Sequence, residues 1–117
     1  MDWPAEADAV ASVAMVVTAM IVRSKAKSGE RDALRAAWEK HLRAQTEADE
    51  SRLLYLYCFD ADDPDAYVLV EVFRDGAGPP PPDAPFFQEF MRDAGPLLAG
   101  MPVVQRTEVV WSKGLAS

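Results

Sequence analysis

The chain has 117 residues, of which half are hydrophobic and about a quarter are charged. This length is enough for one domain with a hydrophobic core and too short for two. The formal net charge of -7 argues against a nucleic-acid partner, because binding to the phosphate backbone requires clustered Lys and Arg, and here the basic residues are dispersed.

The N-terminal segment combines an acidic start with an apolar run from Ala9 to Val22. A secretory signal would begin with cationic residues, and a membrane span needs about 20 apolar residues, so neither is favoured. We expect residues 1–13 to form a leader that need not be ordered, residues 14–113 to form the folded domain and residues 114–117 to form a tail. We therefore predict a cytoplasmic protein without a membrane partner.

Hydrophobic periodicity and turn residues predict elements in the order β-α-β-β-α-β. The predicted elements are a strand from Met15 to Ser24, a helix from Glu30 to about Glu47, strands Leu53–Phe59 and Ala66–Phe73, a helix from Pro85 to the Gly95-Pro96 break, and a strand from Val103 to Ser112. This order is typical of the ferredoxin-like α+β fold, a four-stranded antiparallel sheet with two helices on one face.

The second and third predicted strands, Leu53–Phe59 and Ala66–Phe73, are apolar on both faces, apart from Glu71. Two helices can cover only one face of such a sheet, and an exposed apolar face is an aggregation hazard. We therefore expect a homodimer in which the uncovered sheet faces pack against each other.

Candidate functional residues point into the space between the predicted helices and the sheet. On the first helix, a spacing of 100° per residue places His41, the only histidine, near the middle of the inward stripe. The other candidates, on this stripe, the central strands and the second predicted helix, are Trp38, Gln45, Tyr55, Tyr57, Glu71, Phe87, Phe90 and Met91.

Several short motifs follow one another along residues 15–112. Lys27-Ser-Gly29 opens the first helix, Val70-Glu71-Val72-Phe73 is similar to a Glu-x-Trp motif, and Pro85-x-Phe87 opens the second helix. In this order and spacing the chain resembles the antibiotic biosynthesis monooxygenase family, whose members form dimeric ferredoxin-like α+β barrels. It departs from many members at Pro81 and Phe86, where they carry histidines.

The resemblance implies a monooxygenase that oxidises an aromatic or quinol-like small molecule with O₂, without a metal or flavin cofactor. Such an enzyme needs a base, and His41 is the candidate for that role, because histidine is the side chain that ordinarily exchanges a proton near neutral pH. Tyr55 or Tyr57 would donate a hydrogen bond to the developing oxyanion, and Glu71 would orient the histidine or the substrate. The remaining candidates would bind the substrate, and these are Trp38, Gln45, Tyr57, Phe87, Phe90 and Met91.

Structural interpretations compete with these roles. A single inward histidine is often a hydrogen-bonded core residue, and Glu71 could form a structural ion pair with Arg106 or Arg23. Whether Tyr55 and Glu71 share a face depends on the hairpin register, since a one-residue slip exchanges the faces.

Other functions also stay open at this level. The same pocket could serve an isomerase or cyclase acting on a small carbonyl compound, or a non-catalytic ligand-binding dimer. Haem binding through His41 is a more remote alternative. The sequence contains no zinc or iron ligand spacing, no phosphate-binding loop and no Gly-x-Ser-x-Gly elbow.

Overall fold

The computed structural model describes residues 16–74 and 76–115. The predicted leader and the first predicted strand residue, Met15, lie outside this part of the chain. The described elements are β1 (Thr18–Lys25), α1 (Arg31–His41), α2 (Arg43–Ala48), β2 (Arg52–Phe59), β3 (Ala66–Phe73), α3 (Pro85–Ala94), a 3₁₀ turn (Gly95–Leu97) and β4 (Val103–Glu108).

The strands form one four-stranded sheet in the order β2-β3-β1-β4, and every neighbouring pair is antiparallel. The three most continuously apolar strands, β2, β3 and β1, therefore lie next to one another, with β3 and β1 in the middle of the sheet. β2 and β4 form its two edges. This arrangement, with the helices packed on the sheet, confirms the predicted ferredoxin-like α+β fold.

The first predicted helix is divided in two at Leu42, whose φ of -116° departs from helical geometry. Backbone hydrogen bonds from Leu42 to Trp38 and from Thr46 to Leu42 run across the break. The chain therefore bends rather than unwinds, and α2 follows the end of α1. The last strand also ends earlier than predicted, at Glu108.

Two apolar clusters form the core, and only the first of them joins the helices to the sheet. One contains Leu34 of α1 and Ala94 of α3 packed on Tyr67 of β3, and the other contains Met20 and Phe73 on the sheet itself. Leu34 is 1% exposed, and burial of a leucine of this kind contributes about 2 kcal/mol. The first cluster sets the distance between the helices and the sheet, and a cavity lies beside it.

The hairpin register places Tyr55 directly opposite Glu71, and Tyr57 directly opposite Leu69. A bulge between Arg52 and Leu54 interrupts the pairing just before this point. Because side chains alternate along a strand, Tyr55 and Glu71 share one face of the sheet. The register thus decides a question that alternation alone leaves open.

Candidate functional site

A cavity of about 1000 Å³ lies between the helices and the sheet. Its lining is largely apolar, which is usual for a small-molecule site. The sheet residues in the lining are Met20, Val22, Arg52, Tyr55, Tyr57, Tyr67, Leu69, Glu71, Val104 and Arg106. The helix and loop residues in the lining include Trp38, Leu42, Gln45, Thr46, Asp49, Pro79, Pro80, Phe86, Phe87, Phe90 and Met91.

Glu71 is the buried carboxylate of this cavity, with 5% exposure in the middle of β3. One carboxylate oxygen, Oε1, lies 3.6 Å from Nη2 of Arg52. Burial raises the pKa of the Glu71 carboxyl above its ordinary value, and the positive charge of Arg52 offsets part of that rise. A carboxyl group with a raised pKa in an apolar pocket is suited to exchanging a proton with a ligand.

Arg52 links the polar side chains at the end of the cavity that contains Glu71. Its Nη1 donates a hydrogen bond of 2.9 Å to Oγ1 of Thr46, and its Nε lies 3.5 Å from Oδ2 of Asp49. The guanidinium also lies 5.4 Å from the ring centroid of Tyr55. Because Arg52 lies between two carboxylates, the cavity end carries more acidic than basic groups.

Aromatic rings form the wall next to this cluster. Trp38 stacks on Tyr55 with ring centroids 5.6 Å apart, and its indole N–H donates a hydrogen bond of 3.0 Å to the Tyr55 hydroxyl. Burial raises the pKa of Tyr55, and the nearby Glu71 charge raises it further. The Tyr55 hydroxyl therefore stays neutral near pH 7, accepts from Trp38 and keeps its own proton to donate.

All but one of the residues expected to form the site line this cavity, the exception being His41. Its Nε2 lies 2.6 Å from Oδ2 of Asp93, so it joins α1 to α3. The hydrogen bond from His41 lowers the pKa of Asp93. The structure thus brings together Tyr55 and Glu71 but not the histidine.

The ion-pair partner predicted for Glu71 was wrong. Neither Arg23 nor Arg106 pairs with it within the described residues, and Arg52 takes that place. Met20 of β1 lies opposite both Glu71 on one side and Arg106 on the other, so a whole strand separates the two charges. Arg23 alternates onto the other face of β1.

The cluster of Thr46, Asp49 and Arg52 was missed by sequence reasoning. Thr46 lies near the end of the predicted helix, and Asp49 and Arg52 lie between that helix and the next predicted strand, in a stretch without a motif. The one available signal was Arg52 itself, an arginine immediately before an apolar strand whose partner strand carries Glu71. That signal is weak because it depends on the hairpin register.

Two kinds of feature are absent from residues 16–74 and 76–115. This part of the chain contains no group of three or more His, Cys, Asp or Glu side chains arranged to hold a metal ion. Nor does it contain a helix long and apolar enough to cross a membrane.

Comparisons with known proteins place these features in a family. The sequence profile of the family described as antibiotic biosynthesis monooxygenase matches residues 17–78, just over half of the chain. No curated protein sequence is significantly similar to the chain.

Solved structures similar to this chain share the fold over most of its length. A "putative antibiotic biosynthesis monooxygenase" from Chloroflexus aurantiacus is 25% identical, with a TM-score of 0.65, covering 86% of this chain and 99% of that chain. NE2512, a protein of unknown function from Nitrosomonas europaea, is 23% identical with a TM-score of 0.70, covering 89% and 99%. Rv0793 from Mycobacterium tuberculosis is 20% identical with a TM-score of 0.63, covering 84% and 98%. The chain belongs to the antibiotic biosynthesis monooxygenase family.

Proposed function

We propose that this protein is a monooxygenase that uses O₂ to oxidise an aromatic or quinol-like small molecule in the cavity. The observation that carries the proposal is one buried carboxylate, Glu71, in a cavity walled by aromatic side chains. The family supplies the reaction class, and the cavity supplies a site of suitable size and polarity.

The proposed reaction begins when Glu71 removes a proton from an activated ring CH₂ group of the substrate, or from a phenol whose anion carries negative charge on a ring CH carbon. The resulting carbanion gives electrons to O₂, and a C–O bond forms as a peroxide. The O–O bond then breaks as the hydrogen that remains on that carbon leaves as a proton. The carbon becomes a carbonyl, the other oxygen leaves as water, and every electron taken up by O₂ comes from the substrate. The reaction balances without a cofactor.

Tyr55 and Trp38 have supporting roles in this proposal. The Tyr55 hydroxyl, held by the Trp38 indole, is placed to donate to the oxygen on which negative charge develops. The ring of Trp38, together with Phe87 and Phe90, offers surfaces for the flat substrate to stack on. His41 has no part in this scheme, because it is bonded to Asp93 outside the cavity lining.

Oxygen uptake by purified protein tests the proposal. We expect uptake above the autoxidation rate with at least one member of a panel of hydroquinones, anthrones and related phenols, with one O₂ consumed per product carbonyl. Conversion of a panel compound in strictly anaerobic buffer would instead point to an isomerase. Binding of panel compounds without conversion in either buffer would point to a ligand-binding dimer.

We propose further that the protein is a homodimer that packs through the sheet face away from the cavity. On this face Leu56 is 47% exposed and Val103 63% exposed, and Cys58 is exposed as well. Such an apolar face is self-complementary about a twofold axis.

Sedimentation velocity checks the dimer. We expect the wild type to sediment at twice the mass of one chain, and Leu56→Asp to shift it toward the monomer, because the substitution places a charge in the apolar interface. Ala36→Asp, on an exposed position of α1, is the control and should leave the dimer intact. A wild type that is monomeric at tens of micromolar would contradict the proposal.

A further inference from the structure

The cavity floor consists of two rows of side chains that cross the whole sheet. The row that contains the charged groups runs through Tyr55, Glu71, Met20 and Arg106. The row beside it runs through Tyr57, Leu69, Val22 and Val104 and is uncharged. Every one of these side chains lines the cavity.

The charges in the cavity lining are distributed unevenly between its two sides. Asp49, Arg52 and Glu71 form one cluster on the β2–β3 side, where the arginine lies between the two acids. Arg106 lies alone on β4, exposed, and makes no ion pair with any residue in the described part of the chain. The cavity therefore has a cluster of two acids and one arginine at one side and a single positive charge at the other.

The distance between the two sides is set by the sheet. Glu71 and Arg106 are separated by β1, and neighbouring strands lie about 4.8 Å apart, so their backbones are about 10 Å apart. The surface between them is apolar and consists of Met20 with Val22 beside it. A flat ring system of two or three fused rings spans that surface.

We propose that Arg106 is a specificity-determining residue that binds an anionic group of the substrate, so that the preferred substrate is a fused-ring aromatic acid. A guanidinium group pairs with a carboxylate through two parallel N–H···O bonds. In this orientation the end of the ring opposite the carboxylate reaches Glu71 and Tyr55, where the reaction takes place. The inference rests on the proposed function for the identity of the reacting end.

Binding in anaerobic buffer tests the Arg106 site separately from catalysis. Isothermal titration of 6-hydroxy-2-naphthoate and of 2-naphthol gives the affinity of ligands with and without the carboxylate. We expect wild type to bind the carboxylate about fivefold more tightly, which is the upper range for an ion pair at an exposed position. Arg106→Gln should bind the two ligands about equally, and 2-naphthol should bind both proteins alike.

The control is Arg92→Gln, which removes the same charge from an exposed position of α3 outside the cavity lining. It should keep the wild-type preference, and added salt should lower that preference toward the Arg106→Gln value in both the wild type and Arg92→Gln. A preference that survives in Arg106→Gln, or that is lost equally in Arg92→Gln, would overturn the proposal. Absence of oxygen uptake with the preference intact would count against the monooxygenase and leave the Arg106 site standing.

Discussion

Glu71→Gln is expected to lower kcat by about 100-fold or more, because general-base catalysis contributes about that much. Glutamine keeps the size and polarity of glutamate but cannot take a proton. The amide oxygen can also stay beside the Arg52 guanidinium, which lies 3.6 Å from the carboxylate in the wild type, so the cavity should retain its shape and its ligand affinity. Oxygen uptake with the best compound of the panel gives kcat, and anaerobic titration gives the affinity.

The pH profile separates a proton-accepting role from a structural one. Burial raises the pKa of Glu71, so kcat/KM should rise with pH through a midpoint above that of an ordinary glutamate. Glu71→Gln should lose this rise. Glu47→Gln makes the same chemical change on an exposed position of α2 and should retain both the rate and the profile. A Glu71→Gln enzyme with wild-type kcat would remove Glu71 from the mechanism.

The unfolding free energy of the protein should also depend on pH, because of the same raised pKa of Glu71. A folded-state pKa above the unfolded value means that Glu71 contributes stability fully below pH about 4.3, the ordinary pKa of a glutamate. That contribution is lost as pH rises through the folded pKa. The unfolding free energy of wild type relative to Glu71→Gln should therefore fall between about pH 4 and neutral pH, and urea unfolding at a series of pH values measures it.

Local signals explain why the fold could be predicted from the sequence. The alternation in Leu53–Phe59 and Ala66–Phe73 and the helical periodicity around Leu34 and Phe90 need only neighbouring residues. Together with turn residues they determine the element order, and the order leaves few topologies. The division of the first helix at Leu42 escaped prediction because no glycine or proline marks it.

The site was only partly predictable. Periodicity shows toward which side of a helix or strand a side chain points, but it does not show which residue that side chain contacts. The inward stripe of α1 faces both the sheet and α3, and His41 lies on the part that meets Asp93 rather than the cavity. The role of Arg52 depends on pairing between strands far apart in the chain, which places Glu71 beside it. Contacts of this kind arise from the register and cannot be read from spacing alone.

Arg52→Met is expected to destabilise the protein by about 3 kcal/mol at pH 7, because removing one partner leaves a buried charge unpaired. The substitution deletes the hydrogen bond to Thr46 and both carboxylate contacts, and it keeps most of the apolar stem. The loss should be smaller near pH 4.5, since protonation removes the charge from Glu71. Urea unfolding at both pH values measures the difference.

A double-mutant cycle with Glu71→Gln decides whether the pair itself accounts for the loss. If the unpaired Glu71 charge is the main cost, Arg52→Met combined with Glu71→Gln should be more stable than Arg52→Met alone at pH 7, although the partners lost at Thr46 and Asp49 prevent full recovery. Removing Arg52 also removes the positive charge that lowers the pKa of Glu71, so the rise of kcat/KM with pH should shift to higher pH in Arg52→Met. Additive effects on stability together with an unshifted pH profile would show that Arg52 acts on the packing of the cavity end and not on the Glu71 carboxylate.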